Sequence, residues 1–194
     1  MAKLTFGAFL RDQHTSAPSW LGFEAAKHFV FQQPGRLILA CRNEEKGAAA
    51  VTRIKEETNF ENVEVWSLDL ANFSSVASFA NRFEKEGGRL GVLVANAAVS
   101  PSTCRRTPDG WEESLQVNDL STALLCLRLI PPLEETAKKF GAKPRIVIVT
   151  TEMHYWATVD DQVYSTPSVW QTRNSDEYCT PSLMGARYPL TKRI

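Results

Sequence analysis

The stretch LGFEAAKHFVFQQPGRLILACRNEEKG, residues 21–47, holds three elements in succession. Gly22 to Phe31 reads as a helix. Arg36 to Cys41 (RLILAC) is a short aliphatic run with little period-2 alternation, as expected of a strand buried on both faces. Asn43 is placed to cap a second helix whose first turn carries Glu44 and Glu45, where acidic side chains complement the helix dipole. Helix, doubly buried strand and capped helix together form the repeating unit of a parallel sheet covered on both sides.

The same alternation continues outward. Val63 to Leu70 (VEVWSLDL), Leu90 to Ala97 (LGVLVANA) and Arg145 to Thr151 (RIVIVTT) read as further strands; the third and fourth of the four runs share the lack of alternation. Helices are expected over Glu44 to Glu57, Ser74 to Glu86, and Gly110 to Phe140 with an interruption at Pro131-Pro132. Asp109-Gly110 marks a turn, and Gly87-Gly88 and Gly141 close two helices. The fold class is therefore α/β, a doubly wound parallel sheet of Rossmann-like type, in one domain over residues 1–194. Residues 157–187 lose periodicity and fill with Thr, Ser, Pro and isolated aromatics. Such a segment is expected to be either a substrate lid or disordered.

Composition narrows the functions. The chain is 43% hydrophobic and 23% charged, within the range of a domain able to bury a core. Its 22 basic residues balance 22 acidic ones with no basic stripe, which argues against nucleic acid and anionic membrane surfaces as partners. No run is long enough for a membrane span, and the N-terminus lacks a cleavage pattern, so a cytoplasmic location is expected. Cys41, Cys104, Cys126 and Cys179 show no metal-ligand spacing and read as reduced thiols; no metal site is expected.

Several residues carry chemistry. Arg42 lies just past the second expected strand, about 20 residues beyond Gly22, where a dinucleotide fold recognises the adenosine ribose. A guanidinium there pairs with the 2′-phosphate of NADP, so NADP(H) is favoured over NAD(H); an arginine on a solvated helix entry is the alternative. Asp69, at a strand end, can accept from an adenine amino group while the Leu70 amide donates, or can simply form a turn. Asn96 and Ala97 end the next strand, where small residues let a cofactor approach the backbone, or where a strand merely runs into a loop. Tyr188 and Lys192 stand four apart and would share one helix face. An ammonium beside a phenol favours the phenolate, which suits a tyrosine to exchange a proton with a carbonyl/alcohol pair.

Taken together, LGFEAAKHF, PGRLILACRNEEKG, VEVWSLDL, LGVLVANAAVS, WEESLQVNDLSTALL, PRIVIVTTEMHYWA and RYPLTK resemble, in order and spacing, the short-chain dehydrogenases/reductases. The resemblance is to fungal members related to retinol dehydrogenases and to the WW-domain oxidoreductase. It implies a nicotinamide-dependent oxidoreductase interconverting a ketone or aldehyde with an alcohol on a lipophilic small molecule such as a secondary-metabolite intermediate. By resemblance Tyr188 is the proton donor, Lys192 binds the nicotinamide ribose and tunes Tyr188, and Asn118 holds a water of the proton relay. The family serine falls on Thr151, whose hydroxyl keeps the donor and adds a methyl.

The chain departs from the family at its ends. Aligning the last glycine of the phosphate loop with Gly22 puts Ser16 and Trp20 on the other two glycines, so the cradle is expected to be obstructed at Trp20. Residues 1–20 read as an atypical leader. Either the first strand has been excised, leaving the second with an unpaired buried edge, or Leu4 to Leu10 stands in for it. The resemblance stops at Lys192, which makes the fold incomplete relative to the family and argues against inheritance of its common homo-oligomer interface. A catalytically impaired remnant with little or no cofactor binding is the alternative function.

Overall fold

The computed structural model describes residues 5–9, 20–158 and 161–193. Five parallel strands form one sheet: β1 (Thr5–Phe9), β2 (Arg36–Cys41), β3 (Val63–Ser67), β4 (Leu90–Ala95) and β5 (Arg145–Ile148), in the order β3-β2-β1-β4-β5. Strand order reverses between β1 and β4, the switch point at which doubly wound sheets bind ligands.

The expectation of an excised first strand is corrected, and its alternative holds. Thr5–Phe9 lies at the centre of the sheet, in register from Thr5 opposite Arg36 to Phe9 opposite Ala40, and pairs with β4 from Phe6–Val92 to Ala8–Val94. Parallel pairing uses backbone N–H and C=O groups, so a short segment of unremarkable composition can fill the place. β2 is therefore paired on both sides, with β1 and with β3. Ser16 and the indole of Trp20 lie outside the described residues.

Helices cover both faces of the sheet. α1 (Trp20–Phe31) and α2 (Glu44–Thr58) pack Phe23, Ala26, Val30, Ala50 and Ile54 against Leu37 and Leu39. α3 (Phe73–Arg82) and α4 (Ser121–Phe140) bury Val76, Phe79, Leu125 and Leu129 against Ile38, Trp66 and Leu93 on the opposite face. Successive side chains of one strand thus enter different cores, which explains why β2 shows no alternation. The Asn43 side chain accepts from Lys46 N at 2.8 Å, as its capping role requires. A Cβ at Gly47 would collide with the Val65 side chain and Cys41 Sγ, so glycine is what lets α2 approach the sheet.

Three further expectations are corrected. α4 runs through Pro131 and Pro132 without a break. Its buried face of Leu125, Leu129, Leu133 and Thr136, with Thr136 Oγ1 accepting from Leu90 N at 3.0 Å, outweighs the two lost backbone donors. β5 is exposed along its whole length despite its aliphatic sequence, because it is an edge strand and neither apolar cluster includes any of its residues. Within residues 157–187 the chain forms short helices: α5 (Asp161–Tyr164), α6 (Val169–Arg173), a 3-10 turn at Asp176–Tyr178 and the start of α7 (Pro181–Thr191).

The cysteine expectation is also corrected in part. Cys104 and Cys179 form a disulfide with Cα atoms 5.5 Å apart, whereas Cys41 and Cys126 are free and buried. The pair is 75 residues apart, so no local spacing could announce it. Among the described residues no helix is long and apolar enough to cross a membrane.

Candidate active site

Every candidate residue lies near the carboxyl edge of the sheet. Arg42 follows β2 and is exposed, Asp69 and Leu70 follow β3, Asn96 and Ala97 follow β4, and Thr151 follows β5. Gly22 sits in the first turn of α1, whose N-terminus faces the same edge because the preceding strand, β1, is parallel to the rest. Asp69 is also a turn former here: its Oδ1 accepts from Ala71 N at 2.9 Å, and Leu70 is buried behind it.

The best-ordered part of the site joins α4, β5 and α7. Asn118 lies in a π-helical turn, Leu115–Leu120, that precedes α4 and re-aims side chains relative to an α-helix. Its Oδ1 accepts from Val99 N at 2.8 Å, and its Nδ2 donates to Val99 O at 2.9 Å and to Thr191 Oγ1 at 2.8 Å. One amide thus holds both the loop after β4 and the end of α7. Thr191 in turn donates to Tyr188 O at 3.0 Å. With both N–H donors committed, the Asn118 side chain could hold a relay water only through an oxygen lone pair.

Lys192 is 4% exposed and donates from Nζ to Val149 O at 2.8 Å, while Thr150 Oγ1 donates to Lys192 O at 2.6 Å. These two bonds fix the end of α7 to the segment leaving β5. Tyr188 lies in the last turn of α7, and Lys192, four residues on, follows its end. The helix ends at Thr191, and Lys192 is its C-cap at φ −102° and ψ 4°, its N–H bonding back to Pro189 O. Pro189 cannot donate to Gly185, which loosens the last turn. Thr151 caps the 3-10 turn Glu152–Trp156, its hydroxyl accepting from Met153 N at 3.4 Å.

Sequence reading missed the buried charges beneath this site. Glu112 (0% exposed) accepts from Ser114 N at 2.9 Å and Leu115 N at 3.1 Å, and faces the Arg187 guanidinium at 3.5 Å. Arg187 also donates to the carbonyls of Arg173 and Tyr178. Glu112 and Asp119 lie in WEESLQVNDLSTALL and Arg187 in RYPLTK, the stretches that carry the resemblance, yet the sequence assigns none of them a role. Asp119 belongs to the same group: burial pushes its carboxyl up to about 7, against the lowering effects of Arg173 and Lys192.

A raised carboxyl pKa means that the folded state holds a proton which the unfolded state releases at lower pH. Its contribution to stability is complete below about 4 and is lost as pH rises to about 7. Asp119→Asn, a neutral isostere, is expected to flatten this fall. Denaturant melts between those pH values should show the variant gaining on the wild type as pH rises, by on the order of 3 kcal/mol at the upper end. A pH-independent difference between the two proteins would contradict the assignment.

The carboxyl-edge arrangement agrees with what the chain matches. A family model described as short chain dehydrogenase matches residues 15–166. Short chain dehydrogenase sol3 of Alternaria solani is 35% identical over 148 residues, covering 76% of this chain and 52% of its own. The WW domain-containing oxidoreductase of Gallus gallus is 39% identical over 147 residues, covering 76% and 34%. The chain thus spans about half, or less, of the length of these curated relatives. Among solved structures, menthone neomenthol reductase from Mentha piperita superposes with a TM-score of 0.71 at 18% identity, covering 100% of this chain and 82% of that one, a likeness of fold. By its strand order, its carboxyl-edge residues and these matches, the chain belongs to the short-chain dehydrogenase family.

Proposed function

We propose that this chain forms the cofactor-binding and proton-transfer part of an NADP(H)-dependent oxidoreductase that interconverts a ketone or aldehyde with an alcohol on a lipophilic small molecule. The observation that carries the reading is the tie of Lys192 to Val149 and of Asn118 to Thr191, which sets the Tyr188 helix against the carboxyl edge where Arg42, Asp69 and Asn96 gather. The donor set fits a dinucleotide phosphate: an exposed guanidinium past β2, a carboxylate past β3 and an ammonium at the end of α7.

A bound nicotinamide supplies or accepts the hydride. The residues of the chain do the rest. Tyr188 Oη gives its proton to the carbonyl oxygen or takes it from the alcohol, and the Thr151 hydroxyl orients that oxygen. The Lys192 ammonium favours charge on the phenol oxygen. Asn118 keeps α7 and the loop after β4 in mutual register.

Calorimetry with NADPH and NADH tests the reading. NADPH is expected to bind at least about 10-fold tighter than NADH, the contribution of one charged hydrogen-bonded contact, and Arg42→Ala should erase the difference. The second reading, an impaired remnant, is favoured by Ser16 and Trp20 standing where the family places glycines. Absence of saturable binding by either nucleotide at millimolar concentration would establish that second reading.

A further inference from the structure

The layer formed by α5, α6 and α7 is held in an unusual way. Neither apolar cluster includes any residue beyond Leu133, so among the described residues this layer contributes nothing to the two cores. α7 buries Met184, Arg187, Pro189 and Thr191, of which Met184 is the one large aliphatic side chain. Val163 of α5 and Met184 are buried as well, and the remaining ties between the layer and the body that the described residues show are polar or covalent. At its far end are the bonds of Thr191 and Lys192 already described. At its near end is a strap between the loop Cys104–Glu112 and the segment Arg173–Cys179.

The loop is itself well formed. Arg106 bridges Glu112 in antiparallel fashion, and Thr107 N donates to Trp111 O at 2.8 Å. Asn174 docks on it, accepting from Glu112 N at 2.7 Å and donating to Gly110 O at 3.1 Å, and Arg106 pairs with Asp176 at 2.6 Å. The Asp176 side chain is 97% exposed, so that pair is weak. The disulfide between Cys104 and Cys179, two residues before Pro181 begins α7, is the strongest constraint in the strap. Both cysteines are only partly buried and lie beside the exposed Ser102, Thr103 and Arg105, and Pro181 and Ser182, within reach of a small thiol.

We propose that Cys104–Cys179 is a thiol-exchangeable strap whose oxidation state sets how firmly α7, with Tyr188 and Lys192, is held on the body of the domain. A thiolate of a dithiol reductant attacks one sulfur of the bridge, and the other leaves as a thiolate and takes up a proton. The second thiol of the reductant then resolves the mixed disulfide, releasing the first cysteine as a thiol. The bridge is reduced to two thiols while the reductant is oxidised to its own disulfide, and the reverse exchange restores the bridge. Cys41 and Cys126 do not take part: both are buried, and burial pushes the Cys126 thiol up. The consequence for the reaction rests on the reading of α7 given above, but the strap itself does not.

The test uses the full chain equilibrated with graded ratios of reduced and oxidised dithiothreitol, followed by alkylation with mass analysis and by hydrogen exchange of residues 174–193. Cys104 and Cys179 should become alkylated together while Cys41 and Cys126 stay protected. Amide exchange in α7 should rise at least about 10-fold on reduction, with a ceiling on the order of 10³-fold from opening a closed loop of 75 residues, and should return on reoxidation. A double variant, Cys104→Ser with Cys179→Ser, should exchange like the reduced wild type and ignore the reagent. Equal α7 exchange in the two redox states, or alkylation of Cys104 and Cys179 in the air-oxidised protein without reductant, would overturn the proposal. No readout here needs nucleotide, so a failure of NADPH binding sinks the enzymatic reading and leaves this one standing.

Discussion

Arg187→Met is expected to lower the thermal midpoint of the chain by roughly 10 °C, measured by calorimetry or by the loss of far-ultraviolet circular dichroism. Arg187 is 3% exposed and its partner Glu112 is 0% exposed. Burial lowers the Arg187 pKa below its usual value, and Glu112 acts in the opposite direction. Removing the guanidinium therefore leaves a buried carboxylate without its counter-charge and takes one donor from the carbonyls of Arg173 and Tyr178. Breaking one side of a buried pair costs about 3–5 kcal/mol, and each kcal/mol is worth about 2–4 °C for a chain of this size. Methionine fills a similar volume, so the loss reports charge rather than a cavity.

The companion variant separates that account from a general packing defect. Ser114 N and Leu115 N donate to different oxygens of the Glu112 carboxylate, so Glu112→Gln in the Arg187→Met background keeps an acceptor for one of them while removing the stranded charge. It should recover part of the loss, with a coupling between the two sites on the order of 1–3 kcal/mol. Strictly additive effects would show that the two side chains are energetically independent despite their 3.5 Å approach.

The parts of the fold legible in the sequence are those fixed by local pattern. β2 falls on the expected residues because a two-sided aliphatic run has one physical use in a domain of this composition. The α2 cap follows from one asparagine and two glutamates. β5 shows the limit of that reasoning, since RIVI has the composition of a buried strand and lies exposed at an edge. Composition states what a strand tolerates, whereas topology decides what covers it. The contacts that assemble the site were invisible for a different reason. Cys104–Cys179 spans 75 residues and Asn118–Thr191 spans 73, and each depends on how far the intervening helices carry the chain. Tyr188, Lys192 and Asn118 could be given roles from the family pattern, whereas Thr191, Arg187 and Glu112 lie in the same quoted stretches, RYPLTK and WEESLQVNDLSTALL, without a role that the sequence assigns.

On the function proposed above, Tyr188→Phe is expected to lower turnover of a lipophilic ketone by about 10²- to 10⁴-fold relative to the wild type, followed as NADPH oxidation by absorbance. The substitution removes one oxygen and nothing that holds the helix. The bond from Thr191 Oγ1 goes to the Tyr188 backbone carbonyl, and Lys192 and Thr150 are tied to each other's segments without the phenol. NADPH affinity by calorimetry should therefore stay within about twofold, so that the whole loss falls on the proton-transfer step. Lys192→Met should behave differently. It removes the donor to Val149 O as well as the ammonium that the proposed function sets beside the nicotinamide, and is expected to weaken NADPH binding and turnover together. If Tyr188→Phe kept more than about a tenth of wild-type turnover, the proton would have to come from another group, and the Thr151 hydroxyl, on the segment that leaves β5, would be the residue to replace next.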